Sequence, residues 1–397
     1  MKSGVKVIFH IDLNQFFCSV AILKNPRLKG KAFAIGRESS LKGVVSTASY
    51  EARQHGIHAG MPLVEAYQKL PSLIVVDYGH DVYREYSKQF FKFLSKYSTE
   101  IEQTSVDEGF MDVTKLTIEV NRHPLDLAKE IQTRALKELS LPLSIGIAPT
   151  LYLAKMASDM KKPLGITILR IKDIPTMLYP LDVKEIFGIG KKTYPILKEA
   201  NILTIGDFVK KENELTVRKI VGNTYDQFIE RLSGKSTNIV DPNRYSEPES
   251  ISKSTTFDTP LVTYNEILDN VLKLATDSYY ELRKSGKKAK TVSITLRDTN
   301  FNTITRSKSL PDYTYDKTLL MYYIEELVED NFNGQTLRLV GAGFSHFIDE
   351  KDITEEITLF NYQSVYEKEE TLSNLMKDYK ERFGVKSLFF GKDLNKS

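Results

Sequence analysis

Residues 5–12 have the sequence Val5-Lys6-Val7-Ile8-Phe9-His10-Ile11-Asp12, and the pair Phe16-Phe17 follows shortly after. This run is β-branched and apolar, and it predicts a buried β-strand that ends in an aspartate. A second acidic cluster, Asp107-Glu108, lies between two short strand patterns at 101–106 and 109–113. The pattern predicts a hairpin with the two acids at its tip. If the fold brings both clusters together, their three carboxylates share one site.

Three carboxylates beside an aromatic pair suit phosphoryl transfer with metal ions. Mg²⁺ prefers oxygen ligands and takes one or two carboxylates together with phosphate oxygens. Two ions about 4 Å apart need at least one bridging carboxylate and further oxygens on each side. Asp12, Asp107 and Glu108 supply that minimum. Taken alone, each acid is explained equally well as a turn or cap residue.

Two other segments carry groups that suit a triphosphate. In Thr47-Ala48-Ser49-Tyr50-Glu51-Ala52-Arg53, Tyr50 and Arg53 are three residues apart and share one face if the segment is helical. A phenol and a guanidinium fork on one face can bind phosphate oxygens. Lys162 follows a predicted helix and precedes a proline, where its ammonium could neutralise the β- and γ-phosphates. Taken singly, these features are also typical of surface solubility and helix capping.

The order of the predicted elements over residues 5–168 favours an α+β sheet. Residues 13–79 are turn-rich and helical, as in an inserted subdomain. Helices are predicted over 82–97, 125–139 and 150–160, and a strand over 143–147. This order favours the two acidic clusters on adjacent central strands.

Composition restricts the class of protein. The 397 residues suggest several domains, and the 41% hydrophobic and 27% charged content is that of a soluble globular protein. No run approaches the roughly 20 apolar residues that cross a membrane. The single cysteine, Cys18, excludes an intramolecular disulfide and a cysteine-based zinc site. Since no secretory signal is visible, we expect a cytoplasmic location and no membrane contact.

Residues 181–205 predict a contact with a nucleic-acid backbone. They contain Gly188, Gly190, Lys191 and Lys192 between two helical patterns, which is typical of a helix-hairpin-helix. Glycines let the backbone approach a phosphate, and the amides at the next helix start donate to it. The alternative is an ordinary tight turn.

The C-terminal half predicts a separate domain. Residues 241–252 are rich in Pro, Ser, Glu and Asn, as in a linker. The predicted elements that follow are a strand 253–258, a helix 264–284, strands 290–297 and 302–309, a helix 315–331 and a strand 336–346, in β-α-β-β-α-β order. Residues 281–310 hold eight basic and two acidic residues, whereas 312–330 hold one and six. We interpret this as a basic sheet side along duplex DNA with an acidic outer helix; the alternative is a solvated charge run.

The combination resembles the Y-family translesion DNA polymerases, the DinB/UmuC group. The matching stretches occur in the family's order and are residues 9–17, 48–53, 105–110, 144–148 and 162–165. The resemblance implies an α+β multidomain fold, a right-hand polymerase with palm, small fingers, helical thumb and little finger. The implied limits are palm 1–12 and 80–168, fingers 13–79, thumb 169–240, linker 241–252, little finger 253–350 and a tail 351–397.

The resemblance also implies residue roles. Catalysis and the binding of two Mg²⁺ ions would fall to Asp12, Asp107 and Glu108, with the backbone carbonyl of Leu13 as an extra ligand. The incoming triphosphate would be held by Thr47, Tyr50, Arg53 and Lys162 and by backbone amides near Gln15 and Phe16. Phe17 would select the sugar by clashing with a ribose 2′-hydroxyl; alternatively it is a core aromatic. One departure is Asn14, where many relatives carry a second acid that is not a principal ligand.

The implied partners are primer-template DNA, deoxynucleoside triphosphates and a sliding clamp, with the protein acting as a monomer. The clamp peptide would be 356–360, with Ile357, Leu359 and Phe360 as its apolar contacts; Glu356 stands where glutamine is usual. Alternatively, Leu359 and Phe360 pack beneath a helix predicted over 365–383. The expected activity is low-fidelity, template-directed DNA synthesis in lesion bypass. The alternatives are a palm-type nucleotide cyclase and a non-catalytic DNA-binding relative.

Overall fold

The computed structural model describes residues 5–37, 43–119 and 121–350. The chain divides into an N-terminal unit up to residue 247 and a C-terminal unit from residue 248 onward. This boundary falls inside the predicted linker 241–252, while the limits of palm, fingers and thumb stay predictions. Within the described ranges, no helix is long and apolar enough to cross a membrane.

The N-terminal unit contains short strands and helices in alternation. Its strands are β1 Ile8–Leu13, β2 Phe33–Ile35, β3 Thr47–Ala48, β4 Ile74–Val76, β5 Ile101–Gln103, β6 Glu108–Asp112, β7 Leu143–Ala148 and β8 Ile166–Ile168. Its α-helices are α1 Phe16–Lys24, α2 Tyr50–Gln54, α3 Leu63–Lys69, α4 His80–Leu94, α5 Thr114–Glu119, α6 Pro124–Leu139, α7 Leu151–Asp159, α8 Thr193–Glu199, α9 Ile205–Val209, α10 Glu214–Val221 and α11 Tyr225–Leu232.

The larger sheet of this unit has the order β5-β6-β1-β7-β8. Strand β1 is buried along its whole length and runs antiparallel to both β6 and β7. Asp12 pairs with Glu108 on one side and with Ser144 on the other. The expectation that the acidic clusters lie on adjacent central strands is therefore confirmed.

The two faces of β1 enter different cores. Phe9, Ile11 and Leu13 belong to the apolar core that also contains residues of α4 and α6. The alternate residues, including His10 and Asp12, point to the opposite face, where α7 packs. Two polar side chains are therefore buried between the sheet and α7.

Helix α7 lies against the sheet at Gly146, which pairs with His10. A Cβ atom at this position would overlap the backbone of α7, at the carbonyl oxygen of Ala154 and the amide nitrogen of Ser158. Glycine is therefore required for the close approach of the helix.

The segment 13–79 holds a sheet that the sequence pattern did not predict. Its order is β3-β2-β4, with β2 antiparallel to β3 and parallel to β4. These strands have only two or three residues each, too few for an alternating pattern to stand out. Their side chains share a small apolar core with α2 and α3.

The predicted helix-hairpin-helix segment contains a single 3₁₀ turn, Val183–Glu185, before the glycines and α8 after them. Gly188 has a φ of +109°, in the region that favours glycine, and a Cβ there would lie 3.1 Å from the Phe228 ring. The first helical pattern is thus shorter than the sequence indicated.

The C-terminal unit has the β-α-β-β-α-β order that the sequence predicts. Its elements are β9 Ser250–Leu261, α12 Tyr264–Lys284, β10 Lys287–Asp298, β11 Thr303–Thr314, α13 Lys317–Asn331 and β12 Leu337–Asp349. The sheet order is β11-β10-β12-β9. One face of this sheet packs on both helices through an apolar core that includes Val292, Ile294 and Phe344.

The charges predicted for one side of this sheet are divided between its two faces. Because side chains alternate along a strand, Lys308 and Lys253 lie on the helix-covered face with Val292 and Ile294. There Lys308 pairs with Glu326 at 2.6 Å and Lys253 with Glu281 at 3.6 Å. The positions on the other face are mostly Ser, Thr and Gly, among them 252, 254, 293, 295, 305, 307, 341 and 343, and they include Arg297, which donates to Thr303 Oγ1 at 2.7 Å. We call this surface the hydroxyl face.

We expect Gly146→Ala to lower the free energy of unfolding by about 2 kcal/mol or more, because the added methyl group forces α7 away from the sheet. Chemical denaturation measures this. Gly79→Ala is the control, since nothing lies within 4 Å of a Cβ at Gly79. A change of about 1 kcal/mol at most is expected there. Equal losses in both variants would contradict the close packing described above.

Candidate nucleotide and metal site

A cavity of about 400 Å³ opens at the carboxyl end of β1. It gathers the predicted metal, nucleotide and sugar-selecting residues, except Glu108, from separate parts of the sequence. Its walls are formed by Asp12, Leu13, Asn14, Gln15, Phe16, Phe17, Ser46, Thr47, Tyr50, Arg53, Val106, Asp107 and Lys162.

The acidic hairpin tip is fixed by a serine hydroxyl. Ser105 Oγ donates to Asp107 Oδ1 at 2.7 Å and accepts from the amides of Asp107 and Glu108, both at 3.2 Å. One hydroxyl can make these three bonds at once. The turn therefore presents Asp107 to the cavity while Glu108 begins β6.

Two lysines lie among the carboxylates. Lys155, on α7 and only 9% exposed, places its Nζ 2.6 Å from Glu108 Oε2 and 3.5 Å from Asp12 Oδ2. The Nζ of Lys162 lies 2.7 Å from Asp12 Oδ2 and 2.7 Å from Asp159 Oδ1. The two ammonium groups balance carboxylates that would otherwise repel one another in a poorly hydrated place.

These charges act unequally on the acids. Burial raises the pKa of Asp12, but the ammonium groups of Lys162 and Lys155 outweigh it, so the pKa lies below its ordinary value. Burial also raises the pKa of Glu108, with the neighbouring Asp12 adding to the rise. For Asp107 burial dominates, and its pKa is raised. Asp12 is thus the acid held most firmly in its ionised form.

His10 lies on the same face of β1 as Asp12 and is fully buried. Its Nδ1 is 2.8 Å from Ser158 Oγ, and its Nε2 is 3.7 Å from Glu108 Oε2. Burial, followed by the charge of Lys155, lowers the pKa of His10 well below its ordinary value. His10 is therefore a neutral imidazole packed under the acidic pair.

The carboxylate oxygens of Asp12, Asp107 and Glu108 suit a hard divalent cation. Across the described residues, however, no group of three or more His, Cys, Asp or Glu side chains is arranged to hold a metal ion. Lys155 and Lys162 already contact Asp12 and Glu108. The residues fit a metal by chemistry, and these ammonium groups would have to give way to it.

The Tyr50–Arg53 pair forms as its spacing predicts. Ser49 caps α2 by accepting from the Ala52 amide at 3.2 Å. The Arg53 guanidinium lies 5.1 Å from the centre of the Tyr50 ring and donates to the carbonyl oxygen of Ala48 at 2.9 Å. A terminal guanidinium nitrogen of Arg53 also donates to Thr47 Oγ1 at 3.4 Å, so α2 brings a fixed cation to the wall of the cavity.

The two phenylalanines that follow β1 have different surroundings. Phe16 is buried, and its side chain enters the apolar core. Phe17 is half-buried, lines the cavity and lies with its ring centre 4.2 Å from that of Tyr83 at an angle of 30°. One side of the Phe17 ring therefore packs on Tyr83, and the rest of the side chain lines the cavity.

The predicted backbone-binding loop is attached to α7. The Phe187 amide donates to Met156 Sδ at 3.4 Å, and Tyr152 Oη donates to the Phe187 carbonyl at 3.0 Å. The next residues, 188–192, carry the predicted glycines and the exposed side chains of Lys191 and Lys192. The structure places this loop outside the lining of the cavity. Ile357, Leu359 and Phe360 lie outside the described residues.

Sequence reasoning missed Lys155, although a signal was present. It is the charged residue within the otherwise apolar stretch 151–157, four residues before Asp159 and seven before Lys162. Helical spacing brings such residues to one face. A lysine on the buried face of a helix needs an acidic partner, which points to the acids of the sheet.

Comparison with known proteins agrees with this fold. Residues 11–159 match the impB/mucB/samB family, and residues 248–359 match the C-terminal domain of that family. The DNA polymerase IV of Oceanobacillus iheyensis is 38% identical over 378 residues, which cover 94% of this chain and 90% of the relative. The DNA polymerase IV 1 of Bacillus subtilis is 36% identical over 397 residues, 100% of this chain and 95% of the relative. The chain belongs to the Y-family DNA polymerases.

Solved structures of the family support the assignment. A Y-family DNA polymerase chimera, Dbh-Dpo4(243-245)-Dbh, is 25% identical with a TM-score of 0.75, and an insertion ternary complex of Dbh DNA polymerase is 25% identical with a TM-score of 0.60. Each alignment covers 86% of this chain and 99% of the other. This Y-family polymerase is a DNA-directed DNA polymerase, and neither a cyclase nor a non-catalytic role is favoured.

We expect Lys155→Met to destabilise this Y-family polymerase by about 3 kcal/mol, because it leaves Glu108 and Asp12 with a buried charge that Lys155 no longer balances. Saturating Mg²⁺ should return part of this loss, since a divalent cation would supply the missing charge. Thermal unfolding with and without Mg²⁺ measures both effects.

The matched control is Lys161→Met, which removes an exposed lysine of the same region. A similar loss in the control, or a Lys155→Met variant that Mg²⁺ does not stabilise more than the unmodified protein, would contradict the charge balance described here.

Proposed function

We propose that this polymerase adds deoxynucleotides to a primer 3′-hydroxyl at the cavity beside β1, in low-fidelity synthesis past template lesions. The observation that carries the proposal is the register of β1 and β6, which sets Asp12 opposite Glu108. The cavity at this point also contains Tyr50, Arg53 and Lys162. Carboxylates to hold cations and cations to hold phosphates thus occur together.

Asp12, Asp107, Glu108 and the carbonyl oxygen of Leu13 would hold two Mg²⁺ ions. When bound, these ions would lower the pKa of the primer hydroxyl and neutralise the phosphates. The chain itself supplies the geometry. Ser105 orients the hairpin tip, and the low pKa of Asp12 keeps that carboxylate ionised for the ligand role.

The triphosphate would lie between cationic side chains from two segments of the chain. Arg53 and Tyr50 approach from α2, with Thr47 next to the guanidinium at 3.4 Å, and Lys162 approaches from the turn after α7. The start of α1, at Gln15 and Phe16, adds backbone amides because the first amides of a helix lack intrahelical acceptors. Lys162 would exchange its contact with Asp12 for phosphate oxygens.

Phe17 would select the sugar. Its ring packs on that of Tyr83, with 4.2 Å between the ring centres, and this contact restricts its movement away from the cavity. A ribose 2′-hydroxyl above the ring would therefore clash with it. The position of the ring in the lining of the cavity favours this role over that of a plain core aromatic.

DNA would be held through its backbone by both units. In the N-terminal unit, Gly188, Gly190, Lys191 and Lys192 offer amides and ammonium groups to phosphates. In the C-terminal unit, the hydroxyl face offers Ser and Thr donors with little side-chain bulk. Such contacts do not depend on base sequence, as a lesion-bypass enzyme requires.

The partner predictions from the tail remain proposals. Ile357, Leu359 and Phe360 would bind a sliding clamp through an apolar pocket on that partner. The support is the sequence pattern, since these residues lie outside the described ranges. A monomeric state and a cytoplasmic location likewise stay predictions.

We expect Asp107→Ala and Glu108→Ala to reduce primer extension about a thousandfold or more, because the catalytic oxygens act as a unit. Affinity for primer-template DNA should stay within about threefold, since neither carboxylate contacts the DNA backbone in this proposal. Extension of a labelled primer and a binding titration measure the two effects.

The matched control is Glu100→Ala, an exposed acid just before β5 that lies outside the cavity. An active Asp107→Ala/Glu108→Ala double variant would overturn the proposed catalytic site.

We expect Phe17→Ala to reduce discrimination between deoxynucleotides and ribonucleotides about tenfold or more, because the ring that blocks the 2′-hydroxyl is lost. The ratio of kcat/KM for the two substrates measures this. Phe17→Tyr retains the ring and should retain the discrimination. If Phe17→Ala leaves the ratio unchanged, Phe17 is a core aromatic and another group selects the sugar.

A further inference from the structure

The turn that carries Lys162 has two side-chain anchors outside the set of predicted functional groups. The Leu164 amide donates to Asn14 Oδ1 at 2.8 Å, and Gln132 Nε2 donates to the Leu164 carbonyl at 2.9 Å. Both backbone polar groups of Leu164 are therefore held by side-chain amides, one from the residue after β1 and one from α6. Only the anchor at Asn14 lines the cavity.

Asn14 is itself fixed firmly. It is 2% exposed, and its Nδ2 donates to Ser144 Oγ on β7 at 2.9 Å. Its backbone amide donates to the Pro142 carbonyl at 2.8 Å, and its carbonyl accepts from Ser19 Oγ at 2.9 Å. A buried amide with all these partners has one available orientation, so its Oδ1 is a fixed point for the turn.

The connection from this fixed point to Lys162 is short. Pro163 stands between Lys162 and Leu164, and its ring restricts the backbone there. Leu164 itself has a φ of +60°, a left-handed conformation that a leucine keeps only when its surroundings hold it. Asn14 and Gln132 stabilise this conformation by hydrogen bonds to the backbone amide and carbonyl of Leu164.

The ion pairs of Lys162 cannot fix the position of this lysine during turnover. Its contacts with Asp12 and Asp159 fix the ammonium while the cavity has no substrate. When phosphate oxygens take the ammonium, as the proposed function requires, the contact with Asp12 is given up. The backbone anchors then define where the lysine side chain starts.

We infer that Asn14 and Gln132 are positioning residues for Lys162, which hold the 162–164 turn so that the ammonium meets the triphosphate of the incoming nucleotide. This inference rests on the proposed triphosphate contact of Lys162. It also gives a physical role to Asn14. An aspartate there retains the oxygen that accepts from the Leu164 amide, whereas an apolar residue does not.

Steady-state primer extension tests the inference with Asn14→Leu, Gln132→Leu, Asn14→Asp and Lys162→Met. Asn14→Leu and Gln132→Leu should each raise the KM for the incoming deoxynucleotide about tenfold, with kcat changed about threefold or less. Asn14→Asp should keep the KM within about threefold of the unmodified protein, because its oxygen restores the bond. Gln132 is informative because it lies outside the cavity lining; its Nε2 donates to the Leu164 carbonyl of the turn and also to the Leu143 carbonyl of β7 at 3.0 Å.

A double-mutant cycle identifies the route of the effect. In the Lys162→Met background, Asn14→Leu and Gln132→Leu should each change the KM by about twofold or less, since the residue through which they act is already gone. Additive effects would overturn the inference, as would thermal destabilisation without any rise in KM. Where Asn14→Leu fails to fold, Gln132→Leu gives the same test from the other side of the turn.

The same data separate this inference from the proposed function. If Lys162→Met leaves the KM unchanged, the triphosphate contact is wrong and the positioning role falls with it. If Lys162→Met raises the KM while Asn14→Leu and Gln132→Leu do not, the contact stands and the positioning role alone is overturned. Affinity for primer-template DNA, measured by titration, should stay within about threefold in all variants.

Discussion

The pairing of β1 with β6 is the constraint on which the site depends. It sets Asp12 opposite Glu108 in the middle of a sheet whose two faces are covered, so two like charges lie close together with little water. Such an arrangement is unstable without opposite charge. Lys155 and Lys162 provide this opposite charge. Helix α7 carries Lys155 and leads into Lys162, so it has to pack directly on the sheet for both lysines to reach the acids. Gly146 makes that contact possible by leaving space for the helix backbone.

The same helix connects three parts of the N-terminal unit. Lys155 on its buried face balances the acids, and Tyr152 and Met156 hold the Phe187 backbone next to residues 188–192. The turn after the helix brings Lys162 to the cavity. Helix α7 thus contacts proposed cation ligands, leads into the proposed triphosphate contact at Lys162 and holds the backbone beside the loop proposed to bind DNA. Its own position is set by packing against β1 and β7, which suits an active site that must be ordered before its substrates arrive.

Much of this could be predicted from the sequence, for physical reasons. The apolar strand with its terminal Asp12, the hairpin acids and the Tyr50–Arg53 spacing each reflect a local pattern, and the structure preserves them. Lys155 was missed because a lysine in a helix is usually a surface residue. Its acidic partners are distant in sequence and become its neighbours only in the folded chain. The basic residues of 281–310 are divided between the two faces of the sheet, with Arg297 on the open face and Lys308 on the helix-covered one. Counting charges along the chain does not say which side of a strand each occupies, and Lys308 turns toward α13.

The hydroxyl face of the C-terminal unit has a consequence for how DNA would be released. A surface that grips phosphates with lysines displaces many counterions, and its affinity falls steeply as salt rises. A surface made mostly of Ser, Thr and Gly beside Arg297 displaces fewer, because most of its donors are neutral. If this face contacts DNA as proposed, the affinity of this unit for DNA would fall less steeply with salt than that of a lysine-rich surface. Few charged contacts would then have to be broken as the duplex advances after each addition.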